Sequence, residues 1–168
     1  EAQGYSSGAT FDALNRPTTG TTPDGAVTAL GFDDGGALLT VGVTHAGDSI
    51  ETAYVIDIRY NARGQRVRCA YANGVVSTYT YDPERFRLAT CTSTRPPVAG
   101  ASTKLQELAY VYDPVGNILA IQDSAQQDLF FDNTLVSPNR AYVYDPSYRL
   151  TEAQGREQDG LQQPAGTA

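Results

Sequence analysis

The stretch that decides the fold is TYTYDPERFRL, residues 78–88, in which an alternating polar and aromatic run ends in a Tyr-Asp pair. Three further runs end in the same or a similar way: DIRYNARGQRV, LAYVYDPVGNIL and RAYVYDPSYRL. Alternation with a period of two is typical of a β-strand, and Asp followed by Pro is typical of a turn. The chain therefore repeats one strand-to-turn signal.

An aromatic residue followed by Asp or Asn recurs along the whole chain, with a turn residue such as Gly64 or Gly116 a few positions later. The pairs are Phe11-Asp12, Phe32-Asp33, Tyr60-Asn61, Tyr81-Asp82, Tyr112-Asp113 and Tyr144-Asp145. Successive aromatic residues are 21, 28, 21, 31 and 32 positions apart. A period of this length indicates an array of supersecondary units.

The residues of the pair favour an architectural role. We expect the aromatic residue to end a strand and to pack its ring on neighbouring strands. The carboxylate of Asp82 is expected to accept a hydrogen bond from the backbone N–H two residues later, and Pro83 sets φ for the next turn position. Asp residues that recur at equivalent turn positions are what turn chemistry predicts and what catalysis does not.

A second turn is expected near the middle of each unit. Asn73-Gly74 between alternating residues predicts a two-residue type I′ hairpin turn. That turn would pair Ala70 with Ser77 and Arg68 with Tyr79. The sequence thus predicts an all-β fold: an array of antiparallel β-hairpins, with about a dozen strands in a curved, twisted sheet.

Charge and hydropathy exclude several classes of partner. The chain has 12 basic and 19 acidic residues, a formal net charge of −7, and no cluster of Lys and Arg. This argues against binding to nucleic acid or to an anionic membrane surface. No apolar run is long enough for a transmembrane helix, so direct membrane insertion is not expected. The first residues, EAQGYSSGAT, do not resemble a signal peptide, and the lack of Met and Trp favours an excised fragment.

No combination of residues predicts catalysis, a metal or a cofactor. His45 is the only histidine and lies in THAGDS, between two expected strands. Together with Cys69 and Cys91 it has no zinc-type spacing, and FDDGG at 32–36 falls short of a calcium loop. We therefore expect no enzyme activity.

The two cysteines are expected to be free thiols. Cys69 and Cys91 occupy equivalent positions in successive units, with one strand between them. Their Cα atoms should lie about 9 to 10 Å apart, beyond the limit of about 7 Å for a disulfide. Free thiols also suit assembly in the cytosol.

RYNARGQRVRCAYANGVVSTYTYDPERFRL and the two later YVYDP segments resemble the YD repeats of Rhs-family proteins. They are most similar to the Rhs-repeat region of the B component of bacterial toxin complexes, the Tc insecticidal toxins. The resemblance is strong over residues 50–158 and weaker over 11–49. Phe11 and Phe32 depart from the pattern by replacing Tyr, and Asn15 departs by replacing Gly.

This resemblance implies that the chain is a fragment of a hollow Rhs-type shell that encloses and protects a toxic polypeptide before delivery. It implies three partners: the remainder of the shell, the C component with its enclosed toxin, and the pore-forming A component. The protein would be made in the bacterial cytoplasm and released within a large complex. Residues 11–150 would form the repeat domain, 1–10 an irregular lead-in and 151–168 a polar, irregular tail.

Two other functions remain open on the sequence. Arrays of exposed Tyr rings can stack on sugars, which would make the chain a carbohydrate-binding module. Related YD repeats also occur in animal cell-surface proteins, which would fit an adhesive module. A glycan array, or the burial of the repeat Tyr rings, distinguishes these functions from containment.

Overall fold

A computed structural model of the chain describes residues 4–131 and 134–156. The described residues form fourteen strands. The strands are β1 (Gly8–Phe11), β2 (Pro17–Thr21), β3 (Val27–Phe32), β4 (Leu38–Thr44), β5 (Thr52–Tyr60), β6 (Arg66–Tyr71), β7 (Val76–Tyr81), β8 (Leu88–Thr94), β9 (Lys104–Tyr112), β10 (Ile118–Asp123), β11 (Leu129–Phe131), β12 (Thr134–Val136), β13 (Arg140–Tyr144) and β14 (Leu150–Gln154). No helix that could cross a membrane is found among these residues.

Twelve of the strands form one sheet, in the order β1-β2-β3-β4-β5-β6-β7-β8-β9-β10-β13-β14. β11 and β12 form a separate two-stranded sheet. The all-β array of antiparallel strands predicted from the repeats is thereby confirmed. The chain divides into two compact units, one containing residues up to Tyr79 together with Thr94–Thr103, and the other containing Thr80–Ser93 together with residues from Lys104 onward.

Every aromatic residue of the repeat is the last residue of its strand. In five repeats the aromatic residue pairs with the residue six positions later, and the register shifts by one immediately beyond that pair. These pairs are Phe11 with Pro17, Phe32 with Leu38, Tyr60 with Arg66, Tyr112 with Ile118, and Tyr144 with Leu150. Each shift is a β-bulge, which bends the strand and increases its local twist.

The register predicted for the Asn73-Gly74 hairpin is wrong by one residue. Arg68 pairs with Thr78 and Ala70 pairs with Val76. The loop has three residues, since the N–H of Tyr71 donates to the carbonyl of Val75 at 2.9 Å. Gly74 is the loop residue with a positive φ, of 83°. The N–H of Val75 donates to the side-chain oxygen of Asn73 at 3.0 Å. The φ of Asn73 is negative, whereas a type I′ turn needs a positive φ at this residue. A type I turn closed by a left-handed Gly replaces the type I′ turn.

This change of register also replaces the predicted contact of Arg68 with Tyr79. Since a slip of one residue reverses the side of the sheet to which a side chain points, Arg68 cannot lie beside that ring. Arg66 lies over it instead, with its Cζ 4.7 Å from the ring centroid. Arg68 is bound to Asp57, with Nη1 2.5 Å from Oδ2.

Few side chains of the sheet are fully buried. In the first unit Ile58, Cys69 and Ala70 are buried, and in the second Cys91 and Leu108 are. Both cysteines are free thiols. Small cores of this kind are expected of a single sheet, which cannot enclose a two-layer core by itself.

Strand structure extends further at both ends than the sequence predicted. β1 begins at Gly8, inside the segment expected to be an irregular lead-in. β14 continues to Gln154, inside the segment expected to be an irregular tail, because its residues pair with β13. The remainder of that predicted tail, from residue 157 onward, lies outside the described residues.

Candidate functional site: the aromatic–Asp turns

Five of the six turns that follow the aromatic residues have the same length and a left-handed residue at the same position. After β5, the N–H of Gly64 donates to the carbonyl of Asn61 at 2.9 Å, and the N–H of Asn61 donates to the carbonyl of Gln65 at 2.9 Å. Gly64 has a φ of 74°, in the left-handed region that favours glycine. The third residue after Asp is also left-handed in four other turns: Asn15, Gly36, Gly116 and Tyr148. The turn at Asp82 is one residue longer, and Phe86 is its left-handed residue, with a φ of 59°.

The Asp or Asn side chain holds its own turn closed. Oδ1 of Asp145 accepts the N–H groups of Ser147 at 2.8 Å and Arg149 at 2.9 Å. Equivalent bonds to the residues two and four positions later are made by Asp12 and by Asn61. Oδ1 of Asp33, Asp82 and Asp113 likewise accepts backbone N–H groups of its own turn. The carboxylate thus replaces turn hydrogen bonds that water would otherwise provide.

The second carboxylate oxygen binds the side chain of the residue that ends the turn. Nε of Arg16 lies 2.6 Å from Oδ2 of Asp12, and Nε of Arg149 lies 2.8 Å from Oδ2 of Asp145. The backbone N–H of Arg16 and its guanidinium lower the pKa of Asp12 below its ordinary value. Arg149 lowers the pKa of Asp145 in the same way. A lowered pKa favours the ionised carboxylate, which serves as a hydrogen-bond acceptor in both turns.

In three repeats the Tyr hydroxyl donates a hydrogen bond to a backbone carbonyl of the preceding repeat. The hydroxyl of Tyr60 donates to the carbonyl of Leu38 at 2.9 Å, and that of Tyr144 donates to the carbonyl of Ile118 at 3.1 Å. In both cases the acceptor is the first residue of the strand that follows the preceding turn. Tyr112 makes the same bond, and burial raises the pKa of its phenol, which favours the protonated, donating form.

An arginine makes a second contact between consecutive repeats. Arg16 ends the first turn, and its Cζ lies 4.6 Å from the ring centroid of Phe32, which ends the next aromatic strand. A Cβ atom added at Gly36 would lie 3.0 Å from Nη1 of Arg16. We call this contact of an arginine with the ring and turn of the next repeat the arginine clasp.

The second unit contains another arginine clasp. Cζ of Arg87 lies 5.6 Å from the ring centroid of Tyr112. Nη1 of Arg87 donates to the carbonyl of Asp113 at 2.9 Å, and a Cβ atom at Gly116 would lie 3.0 Å from Nη2. Glycine suits this position both because of its φ of 115° and because a Cβ atom would crowd the guanidinium of Arg87.

The sequence identified the aromatic and Asp positions but not the residues that join them. Arg16, Arg87 and Arg149 each stand directly before the strand that follows a turn. That position is the signal that could have revealed the clasps. The carbonyl acceptors carry no such signal, because every residue has a carbonyl group.

The site has the chemistry of a structural joint. Oδ1 of each turn Asp or Asn accepts backbone N–H groups of its own turn. His45 lies away from these turns, with its Nε2 3.0 Å from the hydroxyl of Tyr54. In the described part of the chain, no group of three or more His, Cys, Asp or Glu side chains could hold a metal ion.

Comparisons with known proteins agree with this geometry. No family model matches the chain. It is 42% identical over 135 residues to the toxin subunit YenC2 of Yersinia entomophaga, and 35% identical over 154 residues to the toxin subunit YenC1 of the same organism. These alignments cover 80% and 90% of the chain, but the chain spans only 14% and 16% of the relatives' lengths.

Solved structures of toxin complexes contain the same fold. A crystal structure of TcdB2-TccC3 without its hypervariable C-terminal region matches 96% of the chain with a TM-score of 0.77 and 35% identity. A Photorhabdus luminescens Tc holotoxin pore matches 90% of the chain with a TM-score of 0.72 and 36% identity. The chain covers 7% of each matched chain. Over most of its length the chain is therefore similar to the Rhs-repeat segments of the B and C components of Tc toxin complexes, as the YD repeats of the sequence predicted.

Proposed function

We propose that the chain is one segment of the wall of a hollow Rhs-type shell that encloses a toxic polypeptide before delivery, and that the segment itself performs no catalysis. Its relatives are toxin subunits, and its structural neighbours are toxin complexes. Strands added in chain order to one sheet are a simple way to build a continuous wall.

The proposal rests on the hydrogen bonds that the recurring polar side chains make to backbone groups of the sheet and its turns. The hydroxyls of Tyr60, Tyr112 and Tyr144 donate to backbone carbonyls of the preceding repeat. The recurring Asp and Asn side chains bind the backbone of their own turns. Side chains placed in this way stabilise a wall, because their hydrogen-bonding groups already have partners within it.

Exposed apolar side chains on the strands are consistent with a segment that packs against more of the same structure. Ile56 on β5 is 52% exposed, and Val143 on β13 is 51% exposed. Surface of this kind marks an interaction site when it is extensive. We propose that the remainder of the shell covers part of it.

The same proposal includes the other partners and the location. The C component with its enclosed toxin and the pore-forming A component would complete the assembly. Synthesis in the bacterial cytoplasm would be followed by release as part of the complex. The recurrent Asp–turn pairs would stabilise the wall, and the enclosed polypeptide would be shielded from proteases.

Glycan binding is the less favoured function. A stacking platform needs a free aromatic face, whereas the guanidinium of Arg87 lies over Tyr112. The hydroxyl of Tyr112 already donates to the carbonyl of Leu88, so it is not free to bind a sugar. A glycan array on the intact protein should therefore give no specific signal.

Protease protection tests containment. The longest reading frame that contains this segment would be expressed and digested with a nonspecific protease in increasing urea. We expect an internal polypeptide that resists digestion until the wall unfolds. A combined Tyr60→Phe, Tyr112→Phe and Tyr144→Phe variant should lose protection at lower urea, while Tyr5→Phe, at an exposed position, should not. Digestion of all internal segments at the rate of a free polypeptide in the absence of urea would refute containment.

A further inference from the structure

Asn73 is the only asparagine of the chain that directly precedes a glycine. The pair lies in the exposed loop between β6 and β7. The side-chain amide of an asparagine can be attacked by the backbone nitrogen of the next residue, and glycine hinders this approach least because it has no Cβ atom. The loop therefore contains both an electrophile, the amide carbon of Asn73, and a nucleophile, the backbone nitrogen of Gly74.

The fold places the side-chain carbonyl of Asn73 beside its peptide bond to Gly74. Its Oδ1 accepts the N–H of Val75, two residues later, at 3.0 Å. A side chain that reaches this N–H turns along the chain, past the peptide nitrogen that lies between the two residues. The accepted hydrogen bond also stabilises negative charge on Oδ1, which makes Cγ more electrophilic.

The leaving group of Asn73 is free, whereas that of a matched asparagine is held. Among the described residues, Nδ2 of Asn73 has no hydrogen-bond partner. Asn61 has a similar side-chain geometry, since its Oδ1 accepts the N–H groups of Arg63 and Gln65 at 3.0 Å. Its Nδ2, however, donates to Oε1 of Gln65 at 2.8 Å, and Ala62 follows it. Asn61 thus lacks both features that expose Asn73 to attack.

One contact of the folded loop opposes the reaction. The N–H of Gly74 donates to the carbonyl of Tyr71 at 3.0 Å, and this bond must open before the nitrogen can attack. A single hydrogen bond in an exposed loop opens readily, because water replaces the lost partner. The contact therefore slows the attack without preventing it.

We propose that Asn73–Gly74 is a site of spontaneous deamidation, at which the chain modifies itself in water without an enzyme. The backbone nitrogen of Gly74 loses its proton to solvent and bonds to Cγ of Asn73. The Cγ–Nδ2 bond breaks, and Nδ2 takes up a proton and leaves as ammonia. The resulting succinimide ring adds one water molecule at either of its carbonyls and opens to aspartate or to isoaspartate. No oxidant or reductant is needed, and the inference does not depend on the proposed wall function.

The two products should differ in their effect on the loop. Aspartate keeps a side-chain oxygen that can accept the N–H of Val75. Isoaspartate continues the main chain through its side-chain carbon, which lengthens the backbone by one methylene group and removes that acceptor. The loop has little room for the change, because Cγ of Pro96 lies 2.7 Å from the position of a Cβ atom at Gly74. Isoaspartate should therefore destabilise the hairpin of β6 and β7.

Peptide mapping by mass spectrometry tests the proposal on the full chain aged in warm neutral buffer. Enzymatic methylation of isoaspartate identifies that product directly. Asn73 should convert at least about fivefold faster than Asn61, since one hydrogen bond to the leaving group corresponds to about this factor in rate. Asn73→Ser should abolish the isoaspartate signal of this loop. Equal rates at the two asparagines of the folded chain would overturn the proposal.

Variants of the matched turn separate the effect of the glycine from that of the leaving group. Ala62→Gly places a glycine after Asn61, so its rate should rise but stay about fivefold below that of Asn73. Adding Gln65→Leu removes the acceptor of Nδ2 and should make the two rates equal. In urea, both asparagines of the Ala62→Gly chain should react at one rate, because the folded contacts are lost. If Ala62→Gly alone reached the rate of Asn73 in the folded chain, the role assigned to the leaving group would be wrong.

The stability of the products gives an independent measurement. Ion exchange separates the aged chain from the fresh one, because each product carries one additional negative charge. The fraction that contains isoaspartate should unfold at lower urea than fresh protein, whereas Asn73→Asp, which supplies the aspartate product in pure form, should unfold at the same urea. Equal stability of all three would contradict the predicted effect on the loop.

Discussion

The phenol of Tyr112 donates a hydrogen bond of 2.8 Å to the carbonyl of Leu88, 24 residues earlier in the chain. Tyr112 is the last residue of β9, and Leu88 is the first residue of β8. The bond thus joins an aromatic strand to the start of the strand before it. Since the same bond recurs in both units, the stability of the array should depend on contacts between nearest-neighbour repeats.

Removing the Tyr112 hydroxyl should destabilise the chain. Tyr112→Phe leaves the Leu88 carbonyl without its donor, and the free energy of unfolding should fall by about 0.5–1.5 kcal/mol. Urea unfolding followed by circular dichroism measures the change. Tyr5→Phe is the control, because Tyr5 is 76% exposed, and it should have no effect. Equal stability of the two variants would show that the bond contributes nothing.

Two glycines at the same turn position should differ in their tolerance of alanine. Gly36 and Gly64 have φ values of 86° and 74°, so a Cβ atom strains either turn by about 1–2 kcal/mol. At Gly36 it would also lie 3.0 Å from Arg16, whereas at Gly64 no atom lies within 4 Å. Thermal unfolding should therefore show a larger loss for Gly36→Ala. If Gly64→Ala were the more damaging, the clasp would not constrain Gly36.

Relieving the strain at Tyr148 should stabilise the chain. Tyr148 has a φ of 63°, and its side chain is 61% exposed. Tyr148→Gly should raise the free energy of unfolding by about 1 kcal/mol, because glycine adopts this φ without a steric penalty. Tyr148→Ala keeps the strain and should bring no gain. Asn15→Gly should gain less, since Asn tolerates the left-handed region better than Tyr does.

Acid should weaken the turns. Backbone N–H groups lower the pKa of Asp12, Asp82 and Asp145 in the folded chain below the ordinary value of 3.8. Because the folded pKa lies below the unfolded one, the resulting stability is fully present above the unfolded pKa and is lost as the pH falls through the folded pKa. Chemical unfolding between about pH 6 and pH 2.5 should show this decline.

Replacing one of these carboxylates tests the assignment. Asp82→Asn keeps the acceptor oxygen that binds the N–H groups of Glu84 and Arg85 but removes the titration. The variant should retain most of its stability at neutral pH and lose less of it in acid than the wild type. A decline in acid as steep as that of the wild type would place the titrating groups elsewhere.

The strand ends and the turn acceptors could be predicted from the sequence because both are local. An aromatic residue, a carboxylate and a left-handed position within a few residues determine a turn by their own chemistry. The register at Asn73-Gly74 could not be predicted in the same way, because Asn-Gly suits a three-residue loop as well as a two-residue one. The hydrogen bond that the N–H of Val75 donates to the side chain of Asn73 accompanies the longer loop.

The β-bulges and the contacts between repeats could not be predicted from residues that are close together in the sequence. The residues skipped by the register shifts include the polar Thr18 and the aliphatic Leu39 and Val67, so no single residue type marks a bulge in the sequence. Such shifts arise from the pairing of two strands and from the packing of the aromatic ring. The position of an arginine directly before a strand could indicate a clasp, but the ring that it covers depends on which strand lies beside the turn.

The hairpin loops vary widely in length at one end of the strands and by a single residue at the other. Connections that contain an aromatic–Asp turn have five or six residues, from 12–16 to 145–149, whereas those at the opposite ends of the strands range from the short loop at 72–75 to the segment 124–139 that holds β11 and β12. The Tyr hydroxyl bonds span 22, 24 and 26 residues, yet they reach the same acceptor position. The loops at the opposite ends of the strands can therefore accept inserted peptide without disturbing the Tyr hydroxyl bonds. These loops are the natural place for an engineered tag, epitope or reporter.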